Sequence, residues 1–317
     1  MLDSLNKRLQ LLMPLLTPFC VLIGVFLQDI GGELLFLVPW LFAFMTFSGS
    51  LSMKFRDIKV FSKYPNAMLF AIAFLHIFMP FWAYILSINI FNDHLLIIGF
   101  VISVAIPTGV TSIIWINMCD GNLPLGLAVI LIDTLLAPLV LPILLKVFFG
   151  ETITIDTLSI VIDLLWMIVL PSVLGILFSE FKKGNTQEIS KKLAPISKLS
   201  LFAVVIINSS VVAPYLTNIT LELVSIILVV LFLSGTSYVI ALVIGHLLFK
   251  DIYIVTSLVF IGGMRNITVG IIIAVSYFPA KVAMPVVFGM LFQQVLAALF
   301  TKVIENYQKK YRLKFET

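Results

Sequence analysis

A chain of 317 residues with 61% hydrophobic and 11% charged positions carries too few polar side chains to cover a soluble surface of that size. Apolar runs of about twenty residues recur from end to end, each long enough to cross roughly 30 Å of hydrocarbon as a helix, and none alternates as a barrel strand does. An all-α polytopic membrane protein is expected, and the small formal charge of +4 gives no basis for a nucleic-acid partner.

Polar breaks divide the chain into ten expected spans, at 9–28, 34–53, 65–89, 94–118, 123–147, 157–179, 197–216, 221–249, 252–278 and 281–304. The first run has no small-residue cleavage site after Phe26 and ends on Gln28-Asp29, which reads as a membrane exit and not as a signal peptide. Placing the amino terminus in the cytoplasm leaves only Lys146 and Lys281 outside and Arg265 within the membrane, so 17 of the 20 Lys and Arg residues lie inside. Both termini are then cytoplasmic, and the expected location is a bacterial inner membrane.

The longest polar connection, Glu180 to Ser197, falls between the sixth and seventh spans, and the short link from Phe149 to Asp156 divides the chain into two groups of five spans, 1–150 and 151–317. An odd number of spans per half makes the second half enter from the opposite side, so a duplicated unit would be an inverted repeat. Self-similarity is faint: Pro18 with Gly24 in the first span resembles Pro171 with Gly175 in the sixth. Cys20 and Cys119 fall on opposite halves of the membrane, so no disulfide is expected, and neither a CxxC pair nor clustered histidines suggest a metal. The triplet Asn218-Ile219-Thr220 is a chance match to a glycosylation site.

Two spans are interrupted at corresponding places. The fourth breaks at Pro107-Thr108-Gly109 and the ninth at Gly262-Gly263-Met264-Arg265-Asn266. Such breaks free backbone groups that lipid cannot satisfy, so they persist only against protein or water. Half-helices starting after them aim partial positive charge at a shared central point, which favours an anion. Thr108, Thr111 and Ser112 on one side and Asn266 on the other supply neutral hydrogen-bonding groups, and Gly109 allows close approach. Arg265 adds a planar fork matched to carboxylate that cannot itself carry a proton.

Asp133, also mid-span, is the expected partner of Arg265, and serves either as a structural pair or in proton coupling. His76 is central in the third span and either titrates or packs. Gln293 and Gln294 can turn an amide into a cavity or bond a neighbouring helix. Asp163 lies nearer a span end and is expected to reach the outer surface; Met264, Met290 and Trp115 read as packing.

The stretch Ile106-Pro107-Thr108-Gly109-Val110-Thr111-Ser112 followed by Asp120-Gly121-Asn122, and Gly263-Met264-Arg265-Asn266 followed by Phe288 and Gln293, resemble the bile acid:sodium symporter family. Lys63-Tyr64-Pro65 and Met79-Pro80 extend the likeness over nearly the whole chain. The resemblance implies a panel domain of spans one, two, six and seven, and a core domain of spans three to five and eight to ten. Spans four and nine would cross at their breaks, and organic anions would move by alternating access. It also implies substrate contacts at Gly109, Ser112, Asn266 and Gln293.

The sodium ligands do not carry over. The family's shared acidic ligand falls at Ile261, its Asn after the first break at Ile113, its span-five hydroxyls at Gly126 and Ile130, and its span-three Gln at Leu75. No sodium is expected at those places, and Arg265 would put a tethered charge where the second ion would lie.

The expected function is therefore a carrier for a small or medium organic anion, working as a uniporter, exchanger or proton-coupled symporter. The alternatives are a sodium-coupled symporter with a rearranged site and a non-transporting sensor on the same fold. No nucleophile, base and orienter are grouped as an enzyme would require, and no cofactor is expected. The partners are the substrate anion and the bilayer, with the oligomeric state left open.

Overall fold

The computed structural model describes residues 12, 15–16, 18–150, 156–182, 186–216 and 220–315. The start of the first expected span, residues 151–155 of the mid-chain link, residues 183–185 of the long connection and Asn218 of the triplet lie outside the described residues. The described elements are almost all helical. We label them α1 (residues 18–26), α2 (Val38–Ser50), α3 (Pro65–Ile88), α4 (His94–Ala105), α5 (Ser112–Met118), α6 (Leu123–Phe149), α7 (Thr157–Phe181), α8 (Gln187–Leu216), α9 (Leu221–Leu248), α10 (Ile252–Gly263), α11 (Ile267–Tyr277) and α12 (Ala283–Phe315).

Among the described residues seven helices are long and apolar enough to cross a membrane, namely α2 with its 3-10 lead-in from Gly32, α3, α6, α7, α8, α9 and α12. The protein is a polytopic helical membrane protein. Its lipid-facing character shows in the exposed rim, where Phe26, Trp40, Val147 and Leu221 are each more than 70% exposed.

Helix starts follow their sequence signals. Asp93, Asn122, Asp156, Thr220 and Asp251 each accept a backbone N–H of the first turn of the helix they precede, satisfying donors that would otherwise be orphaned. Two π-helical turns, Phe74–Phe78 in α3 and Leu165–Val169 in α7, sit just upstream of Pro80 and Pro171. A proline within a helix lacks the N–H and presses on the preceding turn, and a wider turn absorbs both effects.

Two boundaries differ from expectation. The polar connection Glu180 to Ser197 is helical from Gln187 onward, so α8 starts ten residues before the expected span at 197. Glu188 stands three and four positions before Lys191 and Lys192, a spacing that supports a solvated helix turn. Likewise α12 runs to Phe315, past the expected end at 304. Charged residues mark where lipid ends; backbone hydrogen bonding decides where the helix ends.

Helices α8 and α7 both lie on α2, and α1 lies on α8. Gly24 and Gly175 make these contacts close. A Cβ at Gly24 would strike the Ile206 carbonyl oxygen of α8, and one at Gly175 would lie 2.7 Å from the Phe47 carbonyl oxygen of α2. Further on, α9 packs on α10 and α12, α3 on α4, and α6 on both α10 and α7. Cys20 and Cys119 are buried free thiols in different apolar clusters.

A candidate anion site at the paired helix breaks

Both interrupted spans lose helical geometry to extended backbone, at Ile106 after α4 and at Met264 after α10. There the two chains pair. Thr108 and Arg265 form an isolated antiparallel bridge, with the Gly109 N–H donating to the Met264 carbonyl (3.1 Å) and the Asn266 N–H to the Pro107 carbonyl (2.7 Å). Pro107 has no N–H to leave unpaired, which suits it to this place. The two amides that point away from the bridge find side chains: the Thr108 N–H donates to Asp133 Oδ2 (2.6 Å) and the Arg265 N–H to Gln293 Oε1 (2.9 Å). Protein groups therefore satisfy these four amides of the breaks, as hydrocarbon depth demands.

The close approach depends on glycine. A Cβ on Gly109 would lie 2.9 Å from the Arg265 carbonyl oxygen. Gly263 lies flat against the ring of Tyr238, which is fully buried, stacks on Phe300 and directs its hydroxyl to the Gln293 carbonyl. Gly262 leaves room for Phe74.

The charges pair differently from expectation. Asp133 is fully buried on α6, with one oxygen on the Thr108 amide and Oδ1 in close ion-pair contact, 2.8 Å, with His76 Nε2. This contact is short but out of line for a ring N–H, so it counts as electrostatic contact rather than an aligned hydrogen bond. Arg265 and Asp133 influence each other through their fields, yet no ion pair joins them, because the carboxylate is already engaged. Arg265 is 5% exposed, and both terminal guanidinium nitrogens lack a hydrogen-bond partner. A buried cation with unused donors is costly unless something binds it.

Beside Arg265 lies a cavity of about 280 Å³. Its walls come from Phe42, Thr46 and Gly49 on α2, Ser197, Lys198 and Leu201 on α8, the two breaks, and Met290, Gln293 and Gln294 on α12. Among the described residues the lining holds two cations, Arg265 and Lys198, and no carboxylate. Of the residues expected at the site, Arg265, Asn266, Gly109, Thr111 and Gln293 line this cavity. Thr108 and Ser112 are buried behind it with hydroxyls that lack partners, and His76 and Asp133 stand behind the first break. Asp163 accepts a hydrogen bond from the Tyr277 hydroxyl (2.5 Å) between α7 and α11, rather than ending at the surface alone. Met290 lines the cavity, while Trp115 stacks on Phe260.

Lys198 is absent from the sequence-derived candidates because it reads as one of the cytoplasmic lysines of a polar connection. A usable signal is present all the same: Ala194, Ser197, Lys198, Leu201 and Val205 recur at helical spacing and all face the cavity.

The positions where the resemblance would place sodium ligands are filled by carbon. Leu75 and Ile261 are buried in one apolar cluster with Ile116, whose Cδ1 occupies the space beside Gly126, and Ile130 is fully buried in another. Ser112 keeps its hydroxyl, but the set does not fit a hard cation that requires several oxygens.

Residues 39–242 match the sodium bile acid symporter family. Over 300 residues, 94% of this chain and 98% of the relative, the protein is 44% identical to the uncharacterized protein YbaS of Bacillus subtilis. It is 24% identical over 256 residues, 78% of this chain and 79% of the relative, to the uncharacterized sodium-dependent transporter YocS of the same organism. With that family match covering more than half of the chain, the chain belongs to the sodium bile acid symporter family, a family of membrane transporters.

Proposed function

We propose that the protein is a secondary carrier of compact organic anions that works by alternating access without sodium at the family's usual sites. The observation that carries this reading is Arg265: a buried guanidinium with both terminal nitrogens unpaired, at the wall of a cavity that no carboxylate lines among the described residues. A planar carboxylate takes both nitrogens at once. Asn266, Thr111 and Gln293 stand beside it as neutral donors. At about 280 Å³ the cavity is at the small end of ligand sites, roughly 300–1,000 Å³, which favours a compact acid over a steroid conjugate.

The architecture follows as part of the proposal. Counting each interrupted pair as one crossing and α1 as another makes ten spans, divided between 1–150 and 151–317. Two observations support an inverted repeat. Asp133 on the fifth span receives the free amide of the first break, as Gln293 on the tenth receives that of the second. Gly24 of the first span packs on the seventh, as Gly175 of the sixth packs on the second. Spans one, two, six and seven form the panel, the rest the core, and the cavity lies between them. With both termini cytoplasmic, Ser190 and Lys198 put the cavity on the cytoplasmic side of the breaks.

The name of YocS speaks for sodium dependence, and a rearranged site is the competing reading. At the usual places Leu75, Ile130 and Ile261 present only hydrocarbon side chains, so a sodium site would have to be built elsewhere. Uptake of labelled carboxylates into proteoliposomes, with sodium, proton and counter-anion gradients imposed one at a time, decides between them. Uptake that proceeds without sodium is expected. A strict sodium requirement would overturn the coupling claim, and neither uptake nor exchange of any anion would favour a sensor.

A further inference from the structure

The His76–Asp133 pair is not needed to hold an anion, yet it is buried at the break that Arg265 faces. His76 sits in the π turn Phe74–Phe78, 6% exposed, with Nε2 on Asp133 Oδ1 and Nδ1 without a partner. Asp133 in turn holds the Thr108 amide, and Thr108 is bridged to Arg265. Pair and anion site thus share one rigid piece of backbone.

We infer that His76 and Asp133 form a proton-binding site linked to occupancy of the Arg265 site, so that a monoanion and one proton are carried together. This rests on the reading of Arg265 as the anion site. The charged group acting on the pair is Arg265 from the second break, and the neighbouring Thr108 is neutral; Tyr238 of α9 acts on Arg265, and Lys198 lines the cavity from α8. With a neutral imidazole, Arg265 and Asp133 cancel at the breaks; Lys198, on the α8 wall of the cavity, has an interaction of its own and is not counted with them. A bound monoanion then leaves one net negative charge at membrane depth, which is expensive. A proton taken from solvent onto His76 restores neutrality, and Asp133 stabilises the imidazolium it creates. The empty carrier and the carrier loaded with anion and proton both have no net charge at the breaks, so either form can be re-exposed across the membrane. The anion and the proton should therefore bind together: each one makes room for the other electrostatically. A permanently ionised structural pair would instead leave the empty site positive, and anion binding would then take up no proton.

The test is a binding measurement on the purified full chain in weakly buffered detergent with a pH indicator, using pantoate, lactate and phenylacetate as probes and thermal stabilisation as the sign of binding. For any anion that stabilises, uptake of close to one proton per protein is expected, with apparent affinity falling about tenfold per pH unit where His76 loses its proton. In His76→Gln the proton uptake disappears. Because that variant can misfold, a second measurement leaves the pair intact: in a His94→Gln/His246→Gln variant His76 is the last of the three histidines, and at fixed pH its nuclear magnetic resonance signals should change from the neutral to the imidazolium form when the anion is added. Stabilisation without proton uptake, at an affinity that ignores pH, would overturn the linkage and leave the carrier reading standing. Absence of stabilisation by every probe would overturn both.

Discussion

Replacing Arg265 with methionine should stabilise the empty protein and abolish its response to anions. The guanidinium is 5% exposed and neither terminal nitrogen has a partner, so the empty protein bears the cost of a desolvated, unpaired cation. Unsatisfied buried donors cost about 1–3 kcal/mol, and more when charged, while apolar replacements of buried ionic groups commonly gain about 1–4 kcal/mol. Losing the field of Arg265 on Asp133 works the other way, and His76 remains to compensate that carboxylate. A net gain of about 1–2 kcal/mol follows, or a rise of roughly 2–8 °C in melting temperature at 2–4 °C per kcal/mol. Thermal unfolding in detergent, followed by tryptophan fluorescence with and without carboxylates, measures both effects. A methionine variant less stable than the parent when empty would show that the guanidinium is held by the protein as a fixed counter-charge. An undiminished anion response would remove Arg265 from the site altogether.

Gln293→Leu should destabilise by about 1–3 kcal/mol, since it orphans the Arg265 amide at membrane depth, and should lower transport more than it lowers melting temperature; equal stability would refute the capping role. Gly263→Ala should cost about 1–3 kcal/mol, because the new methyl must displace a Tyr238 ring pinned by Phe300, and Gly263→Ala/Tyr238→Ala should recover part of the loss in the same unfolding assay. Ahead of α12, Lys281 bridges Asp93 (2.7 Å) and Glu222 (2.9 Å). Burial opposes ionisation of Asp93, but hydrogen bonds from Lys281 and the Leu95 amide, with the Lys281 charge, outweigh it and hold the carboxyl below its usual range. A depressed value means the contribution is complete above the ordinary aspartate value of 3.8 and is lost as pH falls through the lower folded value. Lys281→Met should therefore cost about 0.2–1 kcal/mol near neutral pH, a difference that shrinks in unfolding scans at about pH 3; a constant difference at all pH values would refute it.

Membrane residence, the helical class and the two breaks are properties of local composition, which is why they are legible along the chain. Twenty apolar residues without alternation admit one structure in lipid, and Pro107 and the Gly262-Gly263 pair interrupt it whatever surrounds them. Helix ends at 187 and 315 were not legible, because polarity reports the lipid boundary while hydrogen bonding continues beyond it. Partners were decided by the tertiary structure alone. Arg265 and Asp133 look like a pair when only charge and depth are known. The bridge between the breaks gives Asp133 the Thr108 amide and His76, and gives the amide of Arg265, though not its guanidinium, to Gln293. Lys198 joined the cavity for the same reason: which face of α8 meets α2 and the breaks is set by packing between distant segments. Sequence by itself placed a cation and two broken helices at membrane depth. Only the fold determined that the guanidinium is left free, since each carboxylate oxygen and amide can be spent once, and geometry chooses on what.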